Sequence, residues 1–360
     1  MALEDVRQQI DAVDAEILDL LERRADLARQ AAVAKRDANL PAHDPERERQ
    51  VLERVEERAS AHPSRALPKE SVRAIFRSIV SACLSLEQPQ TVAYMGPPGT
   101  YSHIAALEAF GLGARCVDFP TIGNVIDQVA RGLVNYGVAP IENSTEGGVT
   151  ATLDGLLEND VSIRGELIID VSLCVIGREP DLSKVRRVYS HPQPLGQCRG
   201  FLARELPGAE VISSSSTTAA VQEAAKDDGA VAIGSALSAE IYGVPVIRAG
   251  VQDRAGNATR FLVLAKSDGP RTGRDKTSLV FSTKHARGEL RKVLEIFDDE
   301  GLNLTRIESR PALGRRWEYV FFTDVMGHRN DPEVARAIER LKQSCSTVRL
   351  LGSYARADEG

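Results

Sequence analysis

Up to residue 38 the chain contains no proline, and Val6, Ile10, Val13, Ile17, Leu20, Leu27 and Ala31 recur in alternating steps of three and four. That period places them on one stripe of a long α-helix. The one gap in the stripe is Arg24, and a lone arginine on a core stripe requires a buried partner. Lys35 follows eleven residues later, about 20° away at roughly 3.6 residues per turn, so both cations can point at one site. Arg7 cannot join them from the same chain. It lies 17 residues before Arg24, roughly 25 Å along the axis and about 100° off the face.

Prolines 41, 45, 63 and 68 divide this block into three helices, roughly 2–38, 45–61 and 69–87. Asp44 is the expected N-cap of the second, with Pro45 at its first position. Asp44 and Glu48 stand one turn apart with Arg47 beside them. In the third helix Phe76, Ile79, Val80 and Leu84 mark the buried face, with Cys83 and Glu87 a turn apart near it. The remaining charges of the block read as solvated faces.

A chain of 360 residues exceeds what one core fills, so further domains are expected. After Pro89 the pattern changes to short apolar runs, "TVAYM", "YGVAPI", "LIIDVSLCVIG" and "GAVAIG", alternating with helical stretches. That alternation reads as α/β. The polar stretch "KSDGPRTGRDK" reads as a linker, and residues 277–355 give the order βαββαβ of a ferredoxin-like domain. The net charge of −6 argues against nucleic acid or an anionic membrane as the main partner. Five scattered cysteines, no Cys/His cluster, no leader-like start and no run of about 18 apolar residues lead us to expect a cytoplasmic protein without a metal or other cofactor.

Four polar stretches sit at turns beside expected strands: "GPPGTYSH" (96–103), "APIENSTEGG" (139–148), "SHPQPLGQC" (190–198) and "NATRF" (257–261). Helix-opening turns of this kind offer N–H groups and hydroxyls to a carboxylate or phosphate. No G-K-[ST] follows the glycines, which excludes a nucleotide P-loop. The last stretch sets Thr259 and Arg260 at the mouth of the apolar strand "FLVL".

Three resemblances follow from these residues. "VRQQIDAVDAEILDLLERRADLARQAAVAK" followed by "DPERERQVLERV" resembles the all-helical chorismate mutase family. That resemblance implies an intertwined dimer in which Arg7 of the partner, Arg24 and Arg47 hold the carboxylates of chorismate and Lys35 its ether oxygen. It further implies that Asp44 and Glu48 meet the ring hydroxyl and an adjacent cation. Cys83 and Glu87 stand where relatives often carry Ser and Gln, the latter beside the ether oxygen. The reaction is a unimolecular rearrangement, so holding a compact conformer and stabilising the developing charge suffice.

"GPPGT", "PIENS", "SHPQPLGQC" and "TRF", in that order, resemble prephenate dehydratase. The resemblance implies a two-lobed α/β fold like that of periplasmic binding proteins, with Thr259 closest to catalysis. It implies Asn143, Ser190 and Gln197 as binding or supporting residues and Arg260 as a cation for a carboxylate of prephenate. His191 competes with Thr259 as donor to the departing hydroxyl. "GELRKVLEIFDDEGLNLTRIESRP" resembles an ACT regulatory domain, with Gly288, Leu290 and Glu308, Ser309, Arg310 and Pro311 implied at an L-phenylalanine site.

The expected layout is therefore an all-α domain at 1–88, a two-lobed α/β domain at 91–268 and an α+β ferredoxin-like domain at 276–360. Two other readings stay open: preference for arogenate over prephenate, and a non-catalytic module that binds amino acids.

Overall fold

The computed structural model describes residues 3–38, 45–62, 64, 66–87, 90–284, 286–312 and 318–357. Asp44 lies outside the described residues, as do the side chains of Glu48 and Glu87. The chain forms two compact units, Met1–Thr91 with Leu107–Arg115, and Val92–Ala106 with Cys116–Gly360.

The first unit carries α1 (Leu3–Asp37), α2 (Pro45–Ala61) and α3 (Lys69–Glu87), close to the bounds the prolines imply. α3 packs against both other helices. Among the described residues of this unit, Ala32, Leu52, Val72 and Cys83 are the buried apolar ones. The α1 stripe is not covered: Ile10 is 53% exposed, Leu20 63% and Leu27 57%. Between α2 and α3, the buried Glu56 takes Lys69 at 2.9 Å and Arg73 at 2.6 Å. Burial pushes its carboxyl up, but hydrogen bonds from Lys69 and Arg73 outweigh that and hold it below the usual range.

In the second unit one lobe is built from β1 (Thr91–Met95), β2 (Arg115–Phe119), β3 (Tyr136–Asn143), β4 (Gly147–Gly148) and β5 (Ser162–Asp170). The other holds β6 (Cys174–Gly177), β7 (Arg187–Ser190), β8 (Glu210–Ser213), β9 (Ala230–Gly234) and β10 (Val246–Ala249), in the order β10-β6-β9-β7-β8. β11 (Ala258–Ala265) returns to the first lobe between β5 and β3. In chain order the helices among these strands are α4 (Tyr101–Phe110), α5 (Ile122–Ala130), α6 (Thr150–Glu158), α7 (Pro192–Gln197), α8 (Arg199–Glu205), α9 (Thr217–Ala224) and α10 (Ala236–Tyr242). The chain thus crosses between lobes twice, and the apolar run 167–177 is divided between two sheets at the first crossing.

The final domain follows the expected βαββαβ order: β12 (Asp275–Ser282), α11 (Glu289–Asp299), β13 (Leu304–Pro311), β14 (Tyr319–Met326), α12 (Pro332–Ser344) and β15 (Thr347–Ala355). Its sheet runs β13-β14-β12-β15 and continues into the first lobe through β5. Ala355 pairs with Gly165 at that junction. Gly352 lies so close to β5 that a Cβ there would strike the Ile163 carbonyl, so only glycine permits the approach. One sheet face packs on α11 and α12 through Phe281, Phe297, Val325 and Leu341. Val280, Phe322 and Tyr354 on the other face join the core of the first lobe.

Covered on both faces, β12 buries all its residues, including Asp275 and Lys276, which the sequence places in a linker. Lys276 pairs with Glu166 of β5 at 2.6 Å, both side chains being 3% exposed.

Candidate active site

A cleft of roughly 590 Å³ lies between the lobes of the second unit, a size suited to a small metabolite. Three helix openings face it. α4 (Tyr101–Phe110) contributes Thr100, Tyr101 and Ser102, α7 (Pro192–Gln197) is capped by His191, and α9 (Thr217–Ala224) is capped by Ser216. The motif 96–103 opens α4 because the Thr100 hydroxyl donates to Met95 O at 2.9 Å and closes the turn. The turn is braced by His103, whose Nδ1 accepts Gly99 N–H at 3.1 Å while its ring stacks on Tyr94. Burial moves the His103 pKa down, opposed by Asp118, so the neutral acceptor form is favoured.

A hydrogen-bonded hub closes the base of the cleft. Asn143 ends β3 and its Nδ2 donates to Asn257 Oδ1 at 2.9 Å and to Thr259 Oγ1 at 2.9 Å. Its Oδ1 accepts Thr145 N–H and Glu146 N–H at 3.0 and 3.2 Å, which fixes the amide orientation. Because the Thr259 oxygen accepts from Asn143, its hydroxyl proton is left for a group in the cleft. Asn257 Nδ2 donates to Gln197 Oε1 at 3.3 Å, and Gln197 Nε2 to Glu146 Oε1 at 3.4 Å, so the hub ties the two lobes together.

Asn143, Gln197, Thr259 and His191 are therefore brought to one cleft. Two other expected binding residues are not. Ser190 is fully buried, its hydroxyl donating to Ile233 O at 2.7 Å, so it supports the β7 end without reaching the cleft. Arg260 points to the opposite face of the sheet, 3.6 Å from Glu142 and 3.9 Å from Asp324. The reason is strand alternation: Thr259 and Phe261 line the cleft, so the residue between them cannot. Asn257 and Glu146 were not foreseen as site residues, although both lie in the motifs that the sequence singles out.

No lysine or arginine occurs among the described residues lining the cleft; its N–H groups and hydroxyls are what an anion would meet. Burial pushes the Tyr101 hydroxyl well above its usual range, with Cys174 and Cys198 adding to the rise, and it donates to Ser172 O at 2.6 Å. Cys198, next to Gln197, is fully buried and pushed up to about 12 by burial, with Asp253 adding to the rise. It is no thiolate nucleophile. Among the described residues no three His, Cys, Asp or Glu side chains form a metal-ligand group.

In the helical unit, Arg24 finds a partner in the Ile79 carbonyl, to which Nη1 donates at 3.4 Å. Lys35 is half-buried and Arg47 exposed. Arg7, also exposed, pairs only loosely with Glu4 at 3.6 Å. In the final domain, Gly288 caps α11 with φ +84° and Leu290 packs on the domain core. The "ESRP" stretch divides by face: Ser309 and Pro311 are exposed, whereas Glu308 and Arg310 turn toward the first lobe, Arg310 meeting Asp154 at 2.9 Å.

A two-lobed α/β body with an amide-and-hydroxyl cleft, joined to a βαββαβ domain, has the architecture of a prephenate dehydratase with an ACT domain. The family models agree: prephenate dehydratase matches residues 92–269, the ACT domain 277–343 and chorismate mutase type II 6–88. The bifunctional chorismate mutase/prephenate dehydratase of Aquifex aeolicus is 43% identical over 99% of this chain and 98% of its own. This chain belongs to that bifunctional family. Among solved structures, the prephenate dehydratase of Arthrobacter aurescens in complex with L-Phe is 34% identical with a TM-score of 0.69. The match covers 75% of this chain and 91% of that one. GqqA, described as a novel type of quorum quenching acylase, is 29% identical with the same TM-score of 0.69, covering 75% of this chain and 99% of that one.

Proposed function

We propose that the chain rearranges chorismate to prephenate in its helical unit and converts prephenate to phenylpyruvate in the cleft, with L-phenylalanine as feedback inhibitor. The observation that carries the second activity is the Thr259 hydroxyl, its oxygen satisfied by Asn143 and its proton free for the cleft. Prephenate loses its ring hydroxyl and a carboxylate together: the C–O bond breaks to release water, the C–C bond to carbon dioxide supplies the electron pair, and the ring becomes aromatic. Thr259 hydrogen-bonds the departing hydroxyl. A threonine hydroxyl is too weak an acid for full transfer, so the proton of the released water comes from solvent or from His191 at the cleft wall. The openings of α4 and α9 take the carboxylates, while Asn143, Gln197 and Asn257 hold the lobes in register.

For the mutase step, the uncovered α1 stripe supports a homodimer in which Arg7 of one subunit serves the other's site. Arg24, Lys35 and Arg47, with Asp44, Glu48, Cys83 and Glu87, make up the rest of that site. In the final domain, Gly288, Leu290, Ser309 and Pro311 are the proposed L-phenylalanine contacts, while Glu308 and Arg310 link that domain to the first lobe. We assign the protein to the cytoplasm. The test is product formation by purified protein: phenylpyruvate from chorismate and from prephenate, and phenylalanine, which keeps the amine, from arogenate. Turnover of prephenate, slowed by L-phenylalanine, is expected; turnover of arogenate alone would replace the substrate assignment.

A further inference from the structure

The register of β11 on β3 sets Thr259 opposite Asn143 and Arg260 opposite Glu142. Two pairs of neighbours therefore meet on the two faces of one sheet. In the cleft they share a hydrogen bond of 2.9 Å, and on the reverse face an ion pair of 3.6 Å. The reverse pair does not end in its own lobe. Arg260 Nη1 also lies 3.9 Å from Asp324 of β14, and Arg306 of β13 lies 3.8 Å from Glu142 while pairing with Glu308.

The Glu308 carboxylate in turn lies against Gly148, where a Cβ would collide with it. Gly148 is itself a cleft-lining residue. Charges of the ACT sheet thus rest on residues 142–148, the segment that supplies Asn143, Glu146, Gly147 and Gly148 to the cleft.

Arg260 Nη1 is buried and makes no hydrogen bond, standing between one carboxylate from each domain. A guanidinium nitrogen buried in that position gains a charge-assisted hydrogen bond by closing on either side. Two arrangements are thereby open to it, separated by a displacement on the order of 1 Å, the scale on which packed interfaces switch. Thr259 is the neighbouring residue of β11, so the backbone that anchors Arg260 also anchors Thr259.

We propose that Arg260 is a positioning residue, setting the Asn143–Thr259 hydrogen bond from the back of the sheet, and that Asp324 of the ACT domain acts on the dehydratase cleft through it. This rests on the dehydratase reading of the cleft. The experiment is a double-mutant cycle in the full chain with Arg260→Gln, Asp324→Asn and both, following prephenate turnover, with the denaturant transition of the α/β unit as the folding control. Arg260→Gln should lower kcat about tenfold with KM within about twofold, and the double variant should be no slower than Arg260→Gln alone. Asp324→Asn, the milder change, gives the same readout if Arg260→Gln does not fold.

Hydrogen exchange supplies a measure independent of turnover: Asp324→Asn should raise amide exchange across residues 143–148. A KM rise of tenfold or more with kcat retained would make Arg260 a substrate contact and overturn the proposal. Additive losses in kcat, or unchanged exchange at 143–148, would also overturn it. Wild-type protein that leaves prephenate unconverted would refute the dehydratase reading, while the exchange result still decides the coupling.

Discussion

The helical unit and the α/β unit dispose of their apolar surface in opposite ways. β12 buries every one of its residues between a helical layer and the core of the neighbouring lobe. α1, more than four times as long, buries only Ala32 among its described residues and leaves Ile10, Ile17 and Leu20 about half exposed or more. An amphipathic stripe left in water gives up about 25 cal/mol for each Å² it could bury. The contrast teaches that β12 finds its cover within the chain and the α1 stripe does not, which is what the homodimer proposed above would supply.

The largest test of that contrast is Ile17→Glu with Leu20→Glu. On a free surface such changes alter stability by about 0.5 kcal/mol or less. In a subunit interface they should abolish dimers in sedimentation and mutase activity with them, while prephenate turnover persists. A variant still dimeric and active would break the comparison. Next in size, Lys276→Met strands Glu166 in the junction between β5 and β12 and should destabilise the α/β unit by about 3–5 kcal/mol, read from denaturant midpoints. The helical transition should not move.

Thr259→Ala should lower dehydratase kcat by about 10²–10³, the value of one well-placed donor, and leave the mutase unaffected. Equal loss of both activities in folded protein would mean that the two sites are not separate. The smallest effect distinguishes the units by acid. His103 titrates lower in the fold than in the unfolded chain, so its contribution is present above the ordinary histidine range and is lost as pH falls through it. Glu56, also held low, contributes above the ordinary carboxylate range and loses that contribution as pH falls from there through its own depressed value. Acidification should therefore weaken the turn at 96–100 before it loosens α2 from α3. Exchange of the Gly99 amide and helical circular dichroism, followed from pH 8 downward, should separate in that order.

Much of this was legible in the sequence because the signals were local. Prolines bounded the helices, and three of the four cleft motifs coincide with a turn that opens a helix or ends a strand, the fourth with the start of β11. What failed to show depends on neighbours far away in the chain. "TRF" is contiguous in sequence yet split between faces, and only the period of two could have separated Thr259 from Arg260. Ser190 reads like a ligand because its partner, the Ile233 carbonyl, lies on another strand. Lys276 reads as linker because the carboxylate that accepts it stands 110 residues earlier.

The place of β15 in the ten-stranded sheet bears on how the chain is made. It is the last described strand in sequence and stands between β12 and β5, near the middle of the strand order. On the ribosome, the two halves of the sheet are complete before the strand that joins them emerges, at about 5–20 residues per second. For that interval β5 and β12 each present an unpaired edge. Arg164 and Glu166 on the one and Asp275 and Lys276 on the other are charges that discourage a neighbouring nascent chain from pairing there first.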